Sequence, residues 1–191
     1  MTSKQSKIII IGLGNAGTAY ENTYHNAGKL MVNRLSKILG GGTAFRKKGF
    51  SGESISGASA DLISVNLAGY MNESGKHAKL AMKSFGTKPG SLIVVHDDGD
   101  LEIGKWKISF GRGSAGHNGV QSVIDALGTK NFWRLRIGIR PKAGLFAGAP
   151  RKKAGEFVLK KISQSDKHMM ESAFEKAINR ILAGNFSLIS S

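Results

Sequence analysis

The sequence predicts an α/β fold, a single layered domain with a mostly parallel or mixed central sheet flanked by helices, on three observations. Short apolar runs at residues 8–11, 62–67 and 92–95 have the length of strands, and stretches near 30–39, 72–86 and 165–184 carry apolar residues at helical spacing between and after them. The first and third runs are apolar at every position, the pattern of strands covered on both faces, which favours parallel pairing through helical crossovers. Polar side chains collect where each run stops, and in open α/β sheets ligands bind outside the carboxyl ends of the strands.

Taken in order, four isoleucines at 8–11 enter a Gly-rich turn, and a helix follows with Leu30, Met31, Leu35, Ile38 and Leu39 on one face until the glycines at 40–42 stop it. Segments 43–48 and 50–56 alternate and read as a hairpin. The strand at 62–67 runs into AGYMNESG, where Asn72 is placed as the N-cap of a helix through Ala78, Leu80, Ala81 and Phe85 to Gly86. The strand at 92–95 ends in His96, Asp97 and Asp98. Residues 105–110 read as a strand, 120–127 as a helix closed by Gly128, and 133–139 as a further strand. Residues 1–6 are expected to be a flexible N-terminus, and 140–155, rich in Pro, Gly and cations, a mobile basic loop. The last helix starts near Ser165, buries Met169, Ala173, Phe174, Ala177, Ile178 and Ile181, and ends near Gly184. His77 and His168 fall within helices and are expected to face solvent.

Composition narrows the function. No apolar run approaches the roughly 20 residues of a membrane helix, and the opening MTSKQSK has no hydrophobic region behind it, so a soluble protein is expected. The absence of cysteine excludes disulfides, thiolate metal sites and a cysteine nucleophile, and it fits the cytoplasm. A mitochondrial address is the alternative, because the first residues are basic, hydroxyl-bearing and free of acids. Lysine and arginine number 28 against 13 acidic residues, a net charge of +15 in one domain, which points to a polyanionic partner and first to nucleic acid. The cations are grouped at 46–48, at Lys105, Lys107 and Arg112, at Arg134, Arg136 and Arg140, and at 151–153, as a binding face requires.

Gly12, Gly14 and Gly17 satisfy the dinucleotide G-x-G-x-x-G pattern, but residues 18–24 have no apolar helical stripe and positions 30–40 hold no acid for a ribose. His25, Asp97, Asn15, Asn72 and Asn118 all fall at junctions that this fold brings to one sheet edge. A histidine with an ordinary pKa of about 6.5 can take a proton from water at neutral pH, and a carboxylate on its other nitrogen fixes the tautomer. Asparagine amides orient a substrate and donate to a developing oxyanion. No G-x-S-x-G elbow is present, so water is the better nucleophile, and the histidines show no H-x-x-x-H or H-E-x-x-H metal spacing.

GLGNAGTAYENTYHNAG, GYMNESG, VVHDDGDLEIGKWKI, GSAGHNG and RLRIGI, in this order and at these separations, closely resemble the bacterial-type peptidyl-tRNA hydrolases, over residues 8–159. The resemblance implies a monomeric, metal-independent enzyme that needs no cofactor. Its substrate would be peptidyl-tRNA, engaged by the acceptor arm and CCA end, whose ester to the 3′ ribose it cleaves to recycle the tRNA. Carried over by motif, His25 is the general base, Asp97 its orienting partner, and Asn15 with Asn72 and Asn118 binds the peptide and positions the water. Tyr20 and Met71 match positions lining the same cleft. Ala16 stands where the family usually has proline and Tyr24 where arginine is common. The loop GSAGHNG is one glycine shorter than usual, and GIRP replaces the more frequent GIGRP. Ser109 occupies the place of a phosphate-gripping lysine, so Lys107, Arg112 and Arg136 are the expected phosphate contacts. The alternative function is a non-catalytic RNA-binding relative of the same fold, as plant organelle splicing factors are; the retained proton-transfer groups argue against it.

Overall fold

The computed structural model describes residues 6–40, 42–56, 60–141 and 157–183. Strand β1 (Ser6–Gly12) leads through two short 3₁₀ turns, Thr18–Tyr20 and Tyr24–Asn26, into helix α1 (Ala27–Leu39). The hairpin β2 (Thr43–Lys47) and β3 (Phe50–Ile55) precedes β4 (Ala60–Leu67), the 3₁₀ turn Met71–Glu73 and α2 (Ser74–Phe85). Then come β5 (Leu92–Glu102), β6 (Trp106–Phe110), α3 (Asn118–Leu127), β7 (Trp133–Arg140) and α4 (Gln164–Leu182).

The strands form one seven-stranded sheet in the order β2-β3-β4-β1-β5-β7-β6. Strands β4, β1, β5 and β7 are parallel, while β2, β3 and β6 pair antiparallel at the two sides. From β1 the chain leaves towards β4, and from β5 towards β7. The gap beyond the ends of β1 and β5 is therefore a topological switch point, where an open α/β sheet leaves a crevice. The isoleucine run explains why β1 is central: Ile10 packs into the layer under α1 and α4, Ile9 and Ile11 into the layer under α2 and α3, and all three are fully buried. Burying each such side chain stabilises the fold by about 1.5–3 kcal/mol.

Helix α1 reaches the end of β5 because two glycines let backbones touch. A Cβ on Gly28 would lie 2.1 Å from the Val95 carbonyl oxygen, and one on Gly12 would lie 2.5 Å from the Gly28 oxygen. Leu13 N–H donates to the Val95 carbonyl at 2.9 Å and Lys29 N–H to the Leu13 carbonyl at 3.1 Å. This packing brings the turn carrying His25 against the residues that follow Val95.

Several elements differ from expectation. Asn72 does not cap α2; it lies inside the 3₁₀ turn, and the Glu73 carboxylate accepts the Tyr70 N–H at 3.0 Å to start the helix instead. His77 is buried rather than solvent-facing, because its ring fills the space left by two positive-φ glycines, Gly49 and Gly69. His168 is exposed. In α4 the buried methionine is Met170, with Met169 only partly covered. Strand β5 runs on past Val95 to Glu102, irregular between Asp98 and Glu102 but still paired to β7. Most of the segment expected to be a mobile basic loop, 142–155, and most of the expected flexible N-terminus, 1–5, lie outside the described residues. Among the described residues no helix is long and apolar enough to cross a membrane.

Candidate active site

The site is built on Asp97, the first residue of β5 beyond the part that pairs with β1 whose side chain is a carboxylate. His25 Nδ1 lies 2.9 and 3.0 Å from its two oxygens. A carboxylate can only accept, so Nδ1 carries the proton and Nε2 is left with its lone pair. His117 Nε2 lies 2.9 Å from Asp97 Oδ1. His117 is also the N-cap of α3, its Nδ1 accepting from Gly119 N–H at 3.1 Å and Val120 N–H at 3.3 Å. A nitrogen that accepts backbone N–H groups bears no proton, so Nε2 is the donor and this tautomer is fixed from the helix end. Behind them His96 Nδ1 donates to the Asp97 carbonyl at 2.7 Å, and its ring meets that of His117 edge-on at 4.7 Å.

The electrostatics follow from this packing. Asp97 is 4% exposed, and burial alone would push its carboxyl up; the imidazoles of His117 and His25 outweigh that and hold it well below the ordinary carboxylate range. Burial, with the neighbouring His117 second, pushes His96 down to about 3, so its ring is neutral at working pH. His25 keeps 14% of its side chain exposed, so the ring is not sealed in the core with Asp97.

Asn15 is held from every side. Its N–H donates to Asn26 Oδ1 at 2.8 Å and its carbonyl accepts from Asn26 Nδ2 at 3.0 Å, so one side-chain amide satisfies both backbone polar groups of the residue. Its own Oδ1 accepts the Met71 N–H at 2.8 Å, which leaves Nδ2 as the donor available to a substrate. Next to it, Ala16 N–H donates to the Gly69 carbonyl at 2.9 Å, and the Tyr20 and Tyr70 rings meet edge-on at 6.2 Å. Met71 is buried against Gly119, where a Cβ would lie 2.3 Å from its sulfur. Asn72 and Asn118 are both exposed, and Ser122 ties their elements together, donating to the Asn72 carbonyl at 2.7 Å and accepting the Gly75 N–H at 2.9 Å. The seven residues read from sequence as catalytic or cleft-lining thus share the edge formed by the ends of β1, β4 and β5.

The expected phosphate-binding residues lie beside it. His96, Arg136 and Lys107 are register partners across β5, β7 and β6, a row one residue from Asp97. Lys107 and Arg112 are exposed, whereas Arg136 Nε donates to the Asp98 carboxylate. Arg134, two rows away and opposite Ser109, is 4% exposed, and its Nε and the Ser109 hydroxyl have no hydrogen-bond partner among the described residues.

In the sequence Asn26 stands out only as a polar side chain after the first turn, His96 only as the end of a strand, Arg134 only as one of a group of cations and His117 only as part of the GSAGHNG loop, and none of the four carries an expected role in the site. The neighbouring HN pairs, His25-Asn26 and His117-Asn118, were the available signal: in the first the asparagine serves the scaffold, in the second the histidine does. His25, Asp97 and His117 offer ligand atoms within 4.8 Å of one another, a spacing that a metal ion could bridge. The donor chemistry does not fit one. With Nδ1 accepting two N–H groups, His117 Nε2 could bind a cation only as an imidazolate.

Fold and site together define a class: an α/β protein with a histidine–carboxylate pair and amide donors at its switch point, an arrangement that can take a proton from water and return it to a leaving group. Comparison supplies the rest. Residues 9–185 match the family model described as peptidyl-tRNA hydrolase, and the chain belongs to that family. The peptidyl-tRNA hydrolase of Mycobacterium leprae is 35% identical over 179 residues, covering 88% of this chain and 82% of the relative. That of Mycobacterium ulcerans is 37% identical over 172 residues, covering 89% and 86%. The crystal structure of peptidyl-tRNA hydrolase from Acinetobacter baumannii superposes with a TM-score of 0.80 at 27% identity, over 97% of this chain and 94% of that one.

Proposed function

We propose that the chain hydrolyses the ester joining a peptide, or an N-blocked aminoacyl group, to the 3′ ribose of tRNA, with water activated by His25. The observation that carries the mechanism is the His25–Asp97 pair, which leaves Nε2 of His25 unprotonated and without a hydrogen-bond partner among the described residues, on the sheet edge that also holds the Asn15 amide. Nε2 takes a proton from the water as oxygen attacks the ester carbonyl. Asn15 Nδ2 donates to the oxyanion that forms, in a partly dry site where such a donor counts for more than in water. The tetrahedral intermediate collapses, the ribose 3′ oxygen leaves, and His25 returns the proton to it. Asp97 stays ionised throughout, stabilising the imidazolium without taking the proton. Tyr20, Met71, Asn72 and Asn118 hold the acyl end. Lys107, Arg112 and Arg136 take phosphates of the acceptor arm, with the CCA end reaching the switch point. Membership of the family supports this reading, and a monomer acting in the cytoplasm is the form proposed.

The test is incubation with N-acetylaminoacyl-tRNA in EDTA, following release of the N-acetylamino acid. Release at a rate proportional to enzyme is the expected result; tight tRNA binding without release would assign the chain to the non-catalytic RNA-binding class.

A further inference from the structure

The turn that carries Tyr20 and leads to His25 is held by a side chain from the far end of the sequence. Its backbone is bracketed by two left-handed positions, Gly17 at φ 101° and Asn22 at φ 58°. The second is uncommon for a residue with a Cβ and persists only where the surroundings fix it. Those surroundings are residues 157–162, which run alongside as a strap: His25 N–H donates to the Val158 carbonyl at 2.8 Å, Tyr24 N–H to Lys160 at 3.3 Å, and Ile162 N–H to Asn22 at 2.8 Å. The Tyr24 ring meets Phe157 edge-on, and its hydroxyl donates to Asp166, so the tyrosine that replaces the family's frequent arginine here fastens the strap to α4. At the centre, Lys161 Nζ donates to the carbonyls of Glu21 at 2.6 Å, Ala19 at 3.0 Å and Thr18 at 3.5 Å.

We infer that Lys161 is a positioning residue for the proposed hydrolysis: its ammonium closes the 18–22 turn and so sets Tyr20 against Tyr70 and His25 against Asp97. An ammonium has three N–H donors, and here three backbone carbonyls lie within reach of it, two of them at 3.0 Å or less, so its hydrogen bonds go to the turn rather than to a phosphate. Its charge also sits where a short turn gathers partial negative charge on its last carbonyls. All three cations are exposed, but Lys161 differs in kind from Lys107 and Arg112 because its ammonium is engaged by backbone carbonyls of the turn.

The inference rests on the function proposed above, and the parent enzyme separates the two: if it does not turn over N-acetylaminoacyl-tRNA, the function fails first. With turnover established, Lys161→Met and Lys161→Arg are compared with the parent for kcat, KM and the salt dependence of kcat/KM. Misplacing a reacting group by about an ångström can cost as much as 10²-fold. The methionine variant is expected to lose about tenfold or more in kcat, with KM within about twofold and an unchanged salt slope. Arginine, which keeps the charge and several donors, should restore most of the rate. Lys161→Gln carries the same test should the methionine variant not fold. A raised KM with a shallower salt slope would make Lys161 a phosphate-binding residue and overturn the inference, as would parental kinetics in the methionine variant.

Discussion

At His25 the decisive matter is which nitrogen holds the proton, and Asp97 decides it by accepting from two imidazoles at once. Both rings share Asp97 Oδ1, which an amide oxygen can replace, but asparagine puts an NH₂ where Oδ2 faces the His25 N–H and removes the charge that stabilises the imidazolium. For Asp97→Asn we predict a fall in kcat of about 10²–10⁴-fold, read at saturating substrate with the unfolding midpoint monitored alongside. His96 gives a second prediction. An unfolded imidazole takes a proton near pH 6.5, while folded His96 excludes it down to about 3. Within that window the unfolded state binds more protons, so stability drops as pH falls. Asp97, held low by its partners, adds to the loss further down: its contribution is complete above the ordinary carboxylate pKa and disappears as pH falls through the folded value. Denaturant midpoints between pH 7 and pH 4 should therefore decline less steeply in His96→Asn than in the parent. Equal slopes would mean that His96 titrates normally in the folded protein.

At the level of elements, strands and their ends were legible because a buried strand is apolar at successive residues whatever surrounds it. The residues at those ends could be gathered onto one edge before any coordinates. What was not legible depended on neighbours distant in sequence. His77 sits on α2 with the local pattern of a surface residue; it is covered because Gly49 and Gly69, from two loops, leave room for its ring. Asn72 has the chemistry of an N-cap, but Glu73 takes the task and leaves the asparagine for the cleft. His117 stands in the glycine-rich loop before α3, and its partner, Asp97, is on strand β5, so no local pattern joins the two. The packing of α1 on β5 is a further non-local feature, and it makes a prediction: in Gly28→Ala the new methyl meets the Val95 carbonyl at 2.1 Å, and backbone cannot yield as a side chain would. A loss of at least about 2 kcal/mol in denaturant unfolding is expected, with kcat falling too because a displaced α1 pulls the preceding turn, and His25 in it, away from Asp97. A parental midpoint would show that α1 can shift without cost.

Over the whole molecule the net charge of +15 needs a physical use, and the site divides its neighbours into free and committed cations. Lys107 and Arg112 are exposed, while Arg136 is bonded to Asp98, whose carboxyl burial would raise but whose bond to Arg136 holds below its ordinary value. Neutralising Lys107 or Arg112 should raise KM with little change in kcat and make the salt dependence of kcat/KM shallower, by about 0.7–0.9 in the log–log slope for each phosphate no longer neutralised. Arg136→Ala should add a loss of stability, since it strands a largely covered carboxylate. A minimal N-blocked aminoacyl ester without the tRNA body should be indifferent to all three.

The central claim is that His25 is the base and that the rest of the edge exists to hold it. Its most direct test is the single-turnover rate of His25→Ala on N-acetylaminoacyl-tRNA in EDTA, with tRNA affinity and the unfolding midpoint measured on the same preparation. If His25 is the base, the rate falls by about 10²–10⁴-fold with binding and folding unchanged. A near-parental rate in a folded, tRNA-binding variant would contradict the claim.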